Sequence, residues 1–191
     1  MREGSKKQLM AVFGLLFATF AWGASFILVK LTIKEMNLYD FLFLRFALAS
    51  IMMAVIFHRQ LLQTDRQTLL SALILSLFFS ISFIAQTEGL KITSAANSAL
   101  ITCLYMVFIP IFSYFYGRHK IEVHSLIAVA LAFMGMYLLT CYSLTGINFG
   151  DFLVLLCAIL FAWHFILTGK YSVRHRLVPL VTFQFIFCSV I

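Results

Sequence analysis

Charged residues are scarce in this sequence. They make up 11% of its 191 residues, and only seven are Asp or Glu, whereas about a quarter of the residues in a soluble domain are charged. Apolar residues reach 63%. A soluble protein of this size has too little interior to bury that many apolar side chains. The bilayer must therefore act as the solvent for most of the chain.

The signatures of enzymes and of nucleic-acid-binding proteins are also missing. The net charge of +7 is not gathered on a polar domain, as binding to nucleic acid would require. The four cysteines are scattered through apolar runs without metal-site spacing, and no G-x-S-x-G, H-E-x-x-H or paired carboxylates lie in these runs. We expect no cofactor and no nucleic-acid partner, and a membrane-embedded enzyme is the less favoured alternative.

What the sequence does contain is a series of apolar runs of the length that spans a bilayer, about 20 residues. A seventh run begins near Leu177, after short polar connections. The chain is predicted to be an all-α, polytopic membrane protein. The six complete spans are placed at about Leu9–Val29, Leu38–Phe57, Leu69–Leu90, Ser94–Tyr116, Ile121–Cys141 and Phe152–Gly169.

Basic residues divide unevenly between the two sides of these spans. Three of them, Lys30, Lys34 and Lys91, share one side. Lys and Arg concentrate on the cytoplasmic side of membrane proteins, which predicts a multi-pass protein of a cell membrane, the inner membrane of a bacterium, with a cytoplasmic N-terminus. The ten on that cytoplasmic side are Arg2, Lys6, Lys7, Arg59, Arg66, Arg118, Lys120, Lys170, Arg174 and Arg176.

Segments one and six share a sequence pattern, as do segments two and seven. By the charge count, segments one and six begin on opposite sides of the membrane, so the pattern predicts inverted repeats, which in transporters often mark the binding site. The matched runs are Phe20–Trp22 with Phe161–Trp163, Phe26–Leu28 with Phe165–Leu167, and Arg45-Phe46 with Gln184-Phe185.

Several motifs together resemble those of one family. They are Trp22–Phe26 (WGASF), Leu44–Phe46 (LRF), Gly89–Leu100 (GLKITSAANSAL), Tyr105–Pro110 (YMVFIP) and Gly150-Asp151. The sequence resembles the drug/metabolite transporter superfamily, specifically its EamA-type members. The resemblance extends over essentially the whole chain.

The resemblance implies a ten-helix carrier made of two inverted five-helix repeats, with a central substrate cavity and both termini in the cytoplasm. Residues 1–141 would form the first repeat and residues 148–191 the start of the second, with the chain stopping inside the seventh helix. A truncated or split carrier, completed by a C-terminal polypeptide or acting as a homodimer, is therefore the alternative to a carrier that works alone.

Arg45 is a charged residue near the middle of a predicted span, whereas Asp40 and Glu88 lie near span ends. A charge at the centre of a helix costs about 2.5 to 3.5 kcal/mol on insertion scales, so such residues usually face a cavity or a partner. Two interpretations stay open. Arg45 is either a structural residue that bonds a neighbouring helix or a clamp for a substrate carboxylate or phosphate.

Aromatic residues suggest a second part of a binding site. Trp22, Ser25 and Phe26 share a face of segment one. They either pack against other helices or form a stacking wall for a planar or apolar substrate group, which Trp163 would complete from the second repeat. His164 is a candidate substrate donor or proton carrier, with an interhelical bond as the alternative.

A polar stripe on segment four lines either a helix contact or the cavity. Gln86 and Gln184 are weaker candidates of the same kind, and the candidates from the stripe are Asn97 and Tyr105. We therefore predict a carrier for a small metabolite with an anionic group and an aromatic or apolar part, such as an amino acid or a nucleotide-like anion. The stripe consists of Ser94, Asn97, Ile101, Tyr105 and Phe108.

Overall fold

A computed structural model describes residues 2–117, 127, 130, 131, 134, 135 and 148–191, and regular structure in these residues is entirely α-helical. Five of the described helical segments are long and apolar enough to cross a membrane. The prediction of an all-α, polytopic membrane protein is confirmed. The helices are α1 (Arg2–Glu35), α2 (Leu38–Leu61), α3 (Arg66–Ile92), α4 (Ala95–Cys103), α5 (Tyr105–Gly117), α6 (Phe149–Ser172) and α7 (Leu177–Cys188).

Helix starts coincide with polar residues that satisfy free backbone N–H groups. The Ser94 hydroxyl accepts the backbone N–H of Asn97 at 3.0 Å and starts α4. Asn148 and Asp151 form a reciprocal capping box at the start of α6. Asp151 is the third residue of this helix. The predicted span Ile121–Cys141 lies almost wholly outside the described residues.

The predicted fourth span is two helices. The break is at Leu104, whose N–H bonds Ile101 O at 3.1 Å. Two residues earlier, the Thr102 hydroxyl bonds Ser98 O at 2.7 Å, a back-bond that bends helices. Pro110, which has no N–H to donate, lies inside α5.

Helix α3 is the centre of the bundle and runs antiparallel to α6. At one end Thr93 donates a hydrogen bond to Asp151. At the other end His175, just after α6, bonds Thr68 at 2.9 Å and Ser71 at 3.2 Å. We call these the Thr93 end and the His175 end of the bundle.

Direct contact of the two helices at the Thr93 end depends on glycine. A Cβ on Gly89 would lie 2.6 Å from Gly150 O, and a Cβ on Gly150 would lie 2.5 Å from Gly89 O. Both distances are far inside van der Waals contact. The glycines therefore let two backbones touch where any other residue would separate them.

At the His175 end, a polar network joins the α2–α3 connection to the α6–α7 connection. The Thr68 hydroxyl donates to Asp65, and this bond, with a smaller contribution from His175, holds the pKa of that carboxyl below its usual range. Arg176 adds a hydrogen bond of 3.1 Å to Gln63. Two connections far apart in sequence are thus held together at one membrane face.

Helix α1 packs least. Its residues 8–23 are all exposed, and Phe26, near its Thr93 end, is its buried side chain among the described residues. Lys30 lies close to the last carbonyls of α3, so α1 runs parallel to α3. Because α6 is antiparallel to α3, α1 and α6 cross in opposite directions.

Candidate functional site

Aromatic rings fill the middle of the bundle. Phe79 of α3 is at their centre, with ring centroids 5.8 Å from Phe46 of α2, 5.8 Å from Phe161 of α6 and 6.0 Å from Phe185 of α7. Phe83 packs edge-on against Phe46 at 5.4 Å. We call these five residues the phenylalanine core. It is an apolar partition around which the candidate polar residues lie.

Arg45 lies on the side of the phenylalanine core that faces α1. Its guanidinium carbon is 4.6 Å from the centre of the Phe83 ring, a cation–π distance. Among the described residues Arg45 has no hydrogen bond and no carboxylate partner. The guanidinium, with five N–H donors, is therefore half-buried without a described acceptor.

A hollow of about 370 Å³ lies between α1 and α2, next to Arg45. Ser25 and Thr32 are its polar residues besides Arg45, and the remainder is apolar: Leu28, Val29, Phe41, Leu44 and Leu48. The Ser25 hydroxyl bonds Trp22 O at 2.6 Å. The structure thus brings together two predicted site residues, Arg45 and Ser25, in the lining of one largely apolar hollow. The guanidinium of Arg45 gives this hollow a positive charge.

The tryptophans that would form a stacking wall are separate. Trp22 is 39% exposed on α1, whereas Trp163 stacks on Phe112 of α5 at 5.3 Å. Trp22 and Trp163, both described, make no ring contact with each other. Phe26 is buried.

His164 and Gln184 form a buried pair on the other side of the phenylalanine core. Gln184 Nε2 is 3.0 Å from His164 Nε2, and the Phe79 ring is 4.8 Å from the imidazole. His164 Nδ1 has no partner among the described residues. An interhelical bond, one of the two interpretations of His164, is therefore present, and one ring nitrogen remains for another partner.

The other polar candidates make helix contacts. Gln86 donates to the Thr102 hydroxyl at 3.0 Å, linking α3 to α4. Tyr105 stacks on Phe165 of α6 at 4.9 Å, and Asn97 is 7% exposed. The stripe on segment four thus faces neighbouring helices rather than lipid.

The candidates therefore form three groups rather than one site. Arg45 with Ser25, His164 with Gln184, and Gln86 with Thr102 lie around the phenylalanine core. Arg45 with Ser25 borders a hollow that could hold a small polar molecule in an apolar setting, whereas the other two groups are buried pairs whose members bond each other. In the described part of the chain, no three His, Cys, Asp or Glu side chains cluster as a metal site would require.

Sequence reasoning missed the residues that join the helices at the Thr93 end. Lys30 donates to Leu90 O at 3.1 Å and also to Thr93 O. In the sequence, Lys30 enters only the count of basic residues on one side of the membrane, and Thr93 only the Gly89–Leu100 motif. The Gly89–Leu100 stretch could have indicated these contacts. It supplies the close contact with α6, the bond to Asp151 and the start of α4.

Comparison with known proteins agrees with this architecture. The model of the EamA-like transporter family matches residues 9–141. Two proteins of Archaeoglobus fulgidus, each named an uncharacterized transporter, are similar to the chain. One is 34% identical over 166 residues, covering 87% of this chain and 51% of the relative. The other is 28% identical over 176 residues, covering 86% and 59%.

The chain spans about half the length of these curated relatives. No solved structure matches it significantly. The family match covers more than half of the chain. The chain belongs to the EamA-like transporter family.

Proposed function

We propose that the protein works as a secondary carrier that moves a small anionic metabolite across a cell membrane by alternating access. The observation that carries the proposal is Arg45. It is a cation inside a span, it has no described carboxylate partner, and it borders a hollow. A desolvated guanidinium is stabilised by a carboxylate or phosphate, which it binds through two parallel hydrogen bonds.

The lining of the hollow defines the rest of the substrate. Apart from Arg45, Ser25 and Thr32 its residues are apolar, and Phe83 offers a ring beneath the guanidinium. A compatible ligand has an anionic group for Arg45, an acceptor or donor for a hydroxyl, and an aromatic or apolar part. Amino acids and nucleotide-like anions meet this description.

Uptake into liposomes that contain the purified protein tests the proposal, with competition by a panel of amino acids, carboxylates and nucleotides. Arg45→Ala should lower uptake of the responding metabolite about 10- to 100-fold, since a hydrogen bond to a charged group contributes about 1.5 to 3 kcal/mol. Arg45→Lys should retain part of it, because the charge remains without the planar fork.

Arg59→Ala is the matched control, because Arg59 is an exposed arginine at the end of the same helix. It should transport like the unmodified protein. Equal uptake by the Arg45→Ala protein would show that Arg45 is a structural residue and would remove the basis of the anion proposal.

We also propose that the carrier contains two inverted repeats, residues 1–141 and 148–191. Helices α1 and α6 cross in opposite directions, as such repeats require. Phe46 and Phe185, which the sequence match pairs, stack on each other at 6.3 Å with ring planes 18° apart. Equivalent residues contact each other next to a two-fold axis, which supports an axis between α2 and α7.

A cytoplasmic N-terminus is the orientation that we propose. The basic residues at the His175 end are Arg59, Arg66, Lys170, Arg174 and Arg176, against Lys30, Lys34 and Lys91 near the Thr93 end. This imbalance favours a cytoplasmic His175 end.

A further inference from the structure

One lysine connects the least packed helix to the most tightly packed pair. The Lys30 ammonium donates to Leu90 O at 3.1 Å and to Thr93 O. These carbonyls belong to the C-terminus of α3, where backbone acceptors lack intrahelical partners and the helix dipole is negative. The ammonium, with three donors, thus caps α3 from a neighbouring helix.

The place where Lys30 attaches is itself immobilised. Gly89 and Gly150 bring the backbones of α3 and α6 into contact, and the buried Thr93 hydroxyl donates to the buried Asp151 carboxylate. The Asp151 carboxylate also accepts Asn148 N–H at 2.9 Å. Any separation of α3 from α6 at this end would break the Gly89–Gly150 backbone contact and the Thr93–Asp151 bond together.

Among the described residues, the hydrogen bonds between α1 and another helix come from Lys30, and α1 also packs against α4 and α2. Its residues 8–23 are exposed, so the part toward the His175 end is not packed against the described bundle. The bond of Lys30 is to carbonyl oxygens rather than to a carboxylate. A bond between a cation and backbone carbonyls can be exchanged for water or lipid headgroups at the membrane surface at modest cost.

We propose that Lys30 is the gate residue of the carrier: it holds α1 on the α3–α6 pair and so closes the Thr93 end, and its release opens that end. This inference rests on the proposed function. In this proposal the contact that breaks during opening is the one between α1 and α3. The contact between α3 and α6, although it joins the two proposed repeats, stays closed.

Distances between spin labels test the gate. In purified protein without native cysteines, one pair of labels at Leu31 and Lys91 reports α1 against α3, and a second at Lys91 and Phe149 reports α3 against α6. All three positions are exposed. Lys30→Met, which keeps the aliphatic stem and removes the ammonium, should lengthen the first distance by about 5 Å, one helical turn, and leave the second unchanged.

Two further variants make the result specific to the ammonium at position 30. Lys30→Arg should keep the short distance, because it retains a cation with several N–H donors. Lys34→Met removes an exposed lysine one turn further along α1 and should change neither distance. If Lys30→Met does not fold, Lys30→Gln is measured in the same way.

An unchanged first distance in the Lys30 variant overturns the proposal. A change in both distances also overturns it, because Lys30 would then hold the whole bundle rather than α1. The measurement needs no substrate, so its failure is distinct from failure of the uptake experiment with Arg45→Ala.

Discussion

Gly150 shows how much one residue decides in this protein. A Cβ there would lie 2.5 Å from Gly89 O and 2.9 Å from Thr93 N. We expect Gly150→Ala to destabilise the protein by about 1 to 3 kcal/mol, the usual cost of overpacking. The thermal unfolding midpoint of purified protein in detergent should fall accordingly.

Gly169→Ala is the control for this prediction. Gly169 lies in the same helix, and a Cβ there meets nothing within 4 Å. Alanine is the better helix former by about 1 kcal/mol, so the midpoint should stay or rise. Equal losses in both variants would mean that the close approach of α3 and α6 does not stabilise the protein.

Polar residues in the spans were visible from the sequence, because desolvation of a charge, amide or imidazole is costly enough to require an explanation. Arg45, His164 and Gln86 were all singled out for that reason. Their partners were not visible. Phe83 and Thr102 are ordinary residues of apolar helices, and nothing in the local sequence indicates that they contact Arg45 and Gln86.

Between elements, one side-chain hydrogen bond among the described residues joins α3 to α6 beside the glycines at the Thr93 end. Thr93→Val removes the hydroxyl with little change in shape and leaves the buried Asp151 carboxylate one donor short. Hydrogen bonds to charged groups contribute about 1.5 to 3 kcal/mol. We expect a loss of that size in the free energy of unfolding, measured by denaturant titration in micelles.

Thr32→Val is the matched variant for this joint. The Thr32 hydroxyl bonds Leu28 O within its own helix at 2.9 Å, so its loss should cost less than about 0.5 kcal/mol, as for most surface positions. A Thr93 variant as stable as the Thr32 variant would contradict the assigned role of the Thr93–Asp151 bond.

Helix positions were largely predictable, because an apolar run of about 20 residues has few alternatives in a bilayer. The predicted Leu38–Phe57 and Leu69–Leu90 correspond to α2 and α3. The break at Leu104 was not predicted. It lies within a continuous apolar run, beside the Thr102 hydroxyl that bonds Ser98 O.

At the scale of the whole molecule, the orientation can be tested by labelling. Single cysteines at Arg59, in the last turn of α2, and at Arg174, in the α6–α7 connection, lie at the His175 end, and one at Lys91 lies at the Thr93 end. In intact cells a membrane-impermeant maleimide should label Lys91→Cys, and the other two only after permeabilisation. The reverse pattern would place the N-terminus outside.

Whether Arg59→Cys and Arg174→Cys are labelled under the same conditions is a separate check on the fold. The α2–α3 and α6–α7 connections are far apart in sequence, but Arg176 bonds Gln63 between them. The two positions should therefore respond alike whichever way the protein is inserted. Different responses would contradict the antiparallel packing of α3 and α6.

The sequence by itself determined the helical class, most helix bounds, the family and the list of intramembrane polar residues, because each follows from the local cost of placing a group in lipid. Tertiary structure alone decided the partners. It placed Arg45 over Phe83, paired His164 with Gln184, and put Lys30 on the end of α3. These contacts join residues up to 63 positions apart, and their energies depend on how whole helices pack, which no local pattern records.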